Sequence, residues 1–259
     1  MGTSAVLELD TPKVEKGIRT QHLWIEGYQG RRVPGLVYTP EDSASQKSLV
    51  MLGHGAGGSK DELQMQRIAR WLVRRNQCGV AVIDGPVHGE RASSGVNGGV
   101  QFIREEMAKR ETYEAMAVDW QRTLDACVAL DDVDTSRVAY LGFSMGTMFG
   151  VPTVASEPRF DCAVFAIGGI SAPMQQKFHT EAAARIQRPV LMINQTEDEI
   201  FSRESAFHLY DALPGPKRVF FYPGAHSAVP REAMERVGAF LQAHLVGELD
   251  ETGAPTGAW

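Results

Sequence analysis

The chain has 259 residues, 43% apolar and 22% charged, with a formal net charge of −6. That length suits one undivided α/β domain over 1–259, and an acidic chain without basic blocks argues against a nucleic-acid partner. No run approaches the roughly 18 consecutive apolar residues of a membrane helix, and the start "MGTSAVLELDTPKVEKG" lacks a basic stretch followed by an apolar one, so a soluble, cytoplasmic protein with no membrane partner is expected.

In chain order, "TQHLWIEG" and "RRVPGLVYTP" alternate apolar and polar residues around the turn signal "YQG", which predicts an antiparallel hairpin over 20–39. From "SLVMLGH" onward the pattern changes. "GVAVIDG", "RVAYLGF", "CAVFAIGG", "RPVLMINQ" and "KRVFFYPG" read as strands buried on both faces. Stretches 60–75, 111–131, 146–156, 202–212 and 229–246 carry helical spacing, so the fold class is α/β, with a mostly parallel sheet and helices on both sides. Segments 85–110 and 171–187 follow strand ends and are candidate lid or wall insertions, and 247–259 has no periodicity and reads as a flexible tail. Cys78, Cys127 and Cys162 stand apart beside apolar residues and read as buried thiols, neither metal ligands nor redox pairs.

The chemistry centres on "YLGFSMG". Gly142-Phe143-Ser144-Met145-Gly146 is a G-x-S-x-G running from an apolar strand straight into a small-residue helix. Such a turn is tight, exposes the serine hydroxyl above the sheet edge and sets it at a helix N-terminus. A serine hydroxyl attacks only if a base takes its proton, and the later strand ends offer the partners in order. "TEDEIFS" carries Glu197, Asp198 and Glu199, and "AHSAVP" carries His226. The residues alone leave the acid open among the three carboxylates, Asp198 and its main competitor Glu197 foremost. The glycine-rich "LGHGAGGSKDE" can aim the Ala56 amide at an oxyanion, and the Met145 amide follows the nucleophile.

The ordered set "HGAGG", "DGPVHGE", "GFSMG", "NQTEDEIF" and "PGAHS" resembles the α/β-hydrolase superfamily, nearest its dienelactone-hydrolase-like and small bacterial serine esterase branches, over about residues 20–246. The resemblance implies an α/β-hydrolase fold, Ser144 as nucleophile, Asp198 and His226 as its partners, and Ala56 and Met145 as oxyanion donors. Dienelactone hydrolase itself carries cysteine where this chain has Ser144. The expected reaction is hydrolysis of a small-molecule carboxylic ester through an acyl-enzyme, with no metal or organic cofactor. Hydrolytic C–C or amide cleavage on the same residues and a non-catalytic ligand-binding relative are the alternatives.

Other residues have plainer readings. His54 is expected to hold the glycine-rich loop, and Asp84 to accept local backbone bonds. His88 is either structural or a substrate contact, Arg91 and Arg104 are solvated charges or partners of a substrate carboxylate, and Phe143 and Met174 are core or acyl-pocket wall. Oligomeric state is left open.

Overall fold

The structure, a computed structural model, describes residues 6–42, 47–92, 100–130, 133–171, 173–245 and 247. The hairpin forms as β3 (Ile18–Glu26) and β4 (Arg32–Pro40), paired antiparallel from Ile18↔Pro40 to Glu26↔Arg32 around a 3-10 turn at Tyr28–Gly30. Two further strands, β1 (Val6–Leu9) and β2 (Lys13–Glu15), pair with β3. Four and three residues are too few to show a period, which is why the sequence did not reveal them.

All six apolar runs after the hairpin are strands: β5 (Lys47–Gly53), β6 (Gly79–Ile83), β7 (Val133–Phe143), β8 (Phe160–Ala166), β9 (Val190–Gln195) and β10 (Lys217–Tyr222). They pair parallel to one another, while β4 joins β6 antiparallel, giving the order β1-β3-β4-β6-β5-β7-β8-β9-β10. The runs are continuous because both faces are covered. Val50, Leu52, Ala139 and Leu141 point to a layer made by α1 (Leu63–Asn76) and α7 (Arg231–Leu245). Leu49, Met51, Val138 and Tyr140 point to the opposite layer of α3 (Arg110–Val128), α4 (Met145–Ser156), α5 (Pro173–Ala183) and α6 (Arg203–Ala212). A short α2 (Val100–Met107) packs against α3.

The stretch 171–187 thus contributes a layer helix: within it His179, Ala182, Ala183 and Ile186 are buried. In 85–110 the structure shows a 3-10 turn at Gly89–Arg91 and α2, while 93–99 and the tail 248–259 lie outside the described residues. Among the described residues no helix is long and apolar enough to cross a membrane. The three cysteines are buried free thiols.

Parallel strands deliver their C-terminal ends to one edge of a sheet, where α/β sites are built. Here that edge receives the loops after β5, β6, β7, β9 and β10, which carry His54, Asp84, Ser144, Asp198 and His226.

Candidate active site

Ser144 is the sole residue between β7 and α4, and it makes the reversal with φ 54° and ψ −112°. A positive φ in a residue with a side chain costs about 1–3 kcal/mol and persists only where its surroundings impose it. Two glycines make the turn possible. A Cβ on Gly142 would overlap the Gly146 carbonyl group, and one on Gly146 would overlap the carbonyl of Gly53 at the end of β5. The Ser144 N–H donates to the Ala166 carbonyl at 3.0 Å, and the Thr147 hydroxyl lies 2.9 Å from the carbonyl oxygens of both Gly142 and Ala166. The serine side chain makes no capping bond to its own helix, so its Oγ stays available.

That Oγ lies 2.9 Å from Nε2 of His226, and Nδ1 of the same ring lies 2.8 Å from Oδ2 of Asp198. Oδ1 of Asp198 accepts the N–H groups of Ile200 and Phe201, each at 2.8 Å, which fixes the carboxylate edge-on to the imidazole. Asp198 is 2% exposed through its side chain and His226 11%, so the pair is shielded while the serine end stays open. Of the three neighbouring acids, Glu197 instead uses its backbone N–H on the Gly224 carbonyl. Glu199 acts on the same histidine from the other side. Its Oε2 accepts the His226 N–H at 2.9 Å, and this backbone bond holds the exposed carboxyl below its usual range. Removing that acceptor in Glu199→Ala is expected to lower kcat about three- to tenfold, and Glu199→Gln, which retains an acceptor oxygen, to stay near wild type; steady-state kinetics on both variants check this.

The loop after β5 lies against Ser144: a Cβ on Gly55 would sit 3.7 Å from that of the serine. Ala56 is exposed on this loop, and Met145 opens α4. His54 and His88 cross between the loops after β5 and β6. Nε2 of His54 accepts the Gly85 N–H at 2.9 Å, and Nε2 of His88 accepts the Gly57 N–H at 3.0 Å. Beneath them a buried ionic knot ties the same loops. Asp84 accepts the Lys60 N–H at 2.7 Å, the Glu90 N–H at 2.9 Å and the Lys60 ammonium at 3.2 Å, and that ammonium also meets Glu90 at 2.7 Å. Arg91 donates to the Asp84 carbonyl and pairs with Asp119 at 2.9 Å, and Asp119 in turn accepts the Tyr28 N–H of the hairpin turn.

The substrate-contact expectations therefore divide. Arg91 is not a solvated charge: its side chain is 10% exposed because Asp119, far away in sequence, compensates it. Arg104 is exposed on α2. His88 is 1% exposed and turned to Gly57, and Phe143 is 4% exposed in the apolar layer under α1 and α7. The side chain of Met174 lies outside the described residues. A cavity of about 360 Å³ opens beside the knot, lined by Trp24, Arg32, Pro86, Val87, Glu90 and Arg91 among others. Sequence reasoning missed Lys60, Glu90 and Asp119 as parts of the site, and for Glu199, one of the three acids it offered, it missed the bond to the His226 backbone. Only the density of charge around "SKDE" and "HGER" hinted at the first two.

Burial pushes the His54 imidazole down to about 4 and that of His244 to about 4 as well. A histidine kept neutral in the folded state but titrating near 6.5 when unfolded contributes stability that is complete above about 6.5 and is lost as pH falls toward 4. The melting temperature is expected to be flat in pH above about 6.5 and to decline below it, with a shallower decline in His54→Gln between about 6.5 and 5, where carboxylates remain ionised.

Comparison with known proteins places the fold and the family. The model of the dienelactone hydrolase family covers residues 33–238. A PEG-bound complex of a cold-adapted esterase from an Arctic intertidal metagenomic library is 30% identical, with a TM-score of 0.79 over 90% of this chain and 97% of that one. An acetyl xylan esterase from Paenibacillus sp. R4 shares the fold at 21% identity, with a TM-score of 0.71 over 93% and 88% of the two chains. A putative dienelactone hydrolase from Klebsiella pneumoniae shares it at 15% identity and a TM-score of 0.73, over 88% and 98%. With its parallel sheet, its serine elbow and a family match over most of its length, the chain belongs to the dienelactone hydrolase family and is a hydrolase of the α/β-hydrolase fold.

Proposed function

We propose that the chain is a single-domain serine esterase acting on a small-molecule carboxylic ester through a Ser144–His226–Asp198 triad. One observation carries this reading: the unbroken hydrogen-bonded line from Asp198 through both ring nitrogens of His226 to the Ser144 hydroxyl, at 2.8 and 2.9 Å. In the first half-reaction Nε2 of His226 takes the hydroxyl proton while Oγ bonds to the ester carbonyl carbon. Asp198 holds the Nδ1–H tautomer and stabilises the imidazolium. The Ala56 and Met145 amides carry the oxyanion, in the same place where the α4 N-terminus favours negative charge. Collapse breaks the C–O bond, and the alcohol leaves with the proton from His226. A water then gives a proton to the same nitrogen as it attacks the acyl carbon, which returns Ser144 and releases the acid.

An ester is favoured because it needs nothing beyond this machinery, and because the 30% identical relative is described as an esterase. The cavity beside Arg91 lies over β6 and β4. With strands about 4.8 Å apart, that places it roughly 10–15 Å along the sheet edge from Ser144, and we assign to it the part of the substrate beyond the scissile bond. The test is rapid-mixing hydrolysis of p-nitrophenyl acetate, butyrate and octanoate. A burst of p-nitrophenol approaching one equivalent per protein is expected wherever deacylation is the slower step. Turnover without a burst on any ester, together with activity on amide or C–C substrates, overturns the ester assignment.

A further inference from the structure

His54 and His88 are each held in one protonation state by what they face. The Gly57 and Gly85 N–H groups can only donate, and they point at the Nε2 atoms. The carbonyls of Pro86 and Gly55 can only accept, and they lie 2.7 Å from Nδ1 of His88 and 2.8 Å from Nδ1 of His54. Both rings are therefore neutral with the proton on Nδ1. The pattern is reciprocal: each ring is anchored by a carbonyl of its own loop and accepts an amide of the other, with ring centroids 5.3 Å apart.

The amide that His88 accepts has a particular place in the turn. Residues 55–58 close with a Gly58 N–H to Gly55 carbonyl bond of 3.2 Å, and Gly57 has φ +80°, the third-residue signature of a type II turn. A type II turn differs from type I by rotation of its central peptide, here Ala56–Gly57, and a glycine at the third position permits both. Sequence at residue 57 does not choose between them. The Nε2 lone pair of His88 does, because the rotated peptide would present the Ala56 carbonyl oxygen to it in place of the N–H.

We propose that His88 is a positioning residue for catalysis: by accepting the Gly57 N–H it anchors the 55–58 turn in its type II form against the loop after β6, and so holds in place the preceding Gly55–Ala56 peptide, whose N–H is the proposed oxyanion donor. This rests on the esterase reading, and it differs from the reading of His88 as a substrate contact. A contact would act through KM. A preorganised donor acts on kcat, since the oxyanion exists only beyond the ground state.

The test compares His88→Gln with His88→Asn. Glutamine reaches far enough to set an acceptor oxygen where Nε2 stood, whereas asparagine keeps a polar group near the Pro86 carbonyl but falls short of Gly57. Both are assayed with p-nitrophenyl acetate, with kcat counted per site labelled by a fluorophosphonate so that unfolded protein does not enter. His88→Gln is expected to keep kcat within about threefold of wild type. His88→Asn is expected to lose about tenfold, a fraction of the roughly 10²–10³ that deletion of an oxyanion donor costs, and both should hold KM within about twofold. Equal kcat in the two variants, an effect confined to KM, or failure of His88→Gln to fold overturns the proposal. Absence of p-nitrophenyl ester hydrolysis by wild type itself points instead at the esterase reading, so the two failures are distinguishable.

Discussion

Ser144→Ala is expected to lower kcat for p-nitrophenyl acetate by about 10⁵-fold, with KM changed little and the melting temperature within about 2 °C of wild type. The size follows from the role: without Oγ there is no acyl-enzyme, and neither His226 nor the two amides can replace the bond it forms. The small stability change follows from the geometry. Alanine keeps the Cβ that already sits at φ 54°, the N–H bond to Ala166 is untouched, and the hydroxyl's partner, His226, is still held by Asp198 and Glu199. A loss of activity accompanied by a large fall in melting temperature would indicate a structural serine instead.

Lys60→Met carries the largest expected effect on stability. The ammonium is 1% exposed and compensates Asp84, which is fully buried, as well as Glu90. These partners raise the pKa of Lys60 against the opposing effect of burial, and the lysine lowers that of Glu90. Breaking a buried pair by removing one partner leaves an uncompensated charge and costs about 3–5 kcal/mol. In a chain of this size that is a fall of about 10 °C in melting temperature. Adding Asp84→Asn should recover part of the loss, because asparagine removes the stranded charge while its one amide oxygen can still accept one of the two backbone N–H groups, that of Lys60 at the Oδ1 position or that of Glu90 at the Oδ2 position. Thermal melts of the two single variants and the double give the coupling. A Lys60→Met protein that melts with wild type would mean that the two loops do not depend on the knot.

What could be read from the sequence was set by distance along the chain. The turn at Ser144 was legible because its causes are local: an apolar strand, a helix and two glycines within five residues. Helices α1, α3, α4, α6 and α7 were legible through their period, whereas α2 and α5 lie in segments read as insertions. The ends of the former shifted by up to three residues, α1 beginning at Leu63 where periodicity suggested 60, because Lys60 is spent on Asp84. Arg91 was misjudged for the converse reason. Nothing near it in sequence shows that Asp119, on α3, will compensate it inside the protein. Glu199 could be nominated as one of three acids, but its bond to the His226 backbone depends on how the loop after β9 meets the loop after β10. The reciprocal histidines were beyond sequence reasoning for the same reason, since each is satisfied by an amide 31 positions away.

The central claim, that Ser144 is the attacking group activated by His226, is tested most directly by mapping a fluorophosphonate adduct. The folded protein is labelled, its intact mass is measured, and the modified residue is located by tandem mass spectrometry in the tryptic peptide 138–159, which contains Ser144. The expected result is one adduct per chain on Ser144, lost in Ser144→Ala and formed far more slowly in His226→Ala. An adduct on another residue, or none on folded protein that hydrolyses esters, would contradict the account.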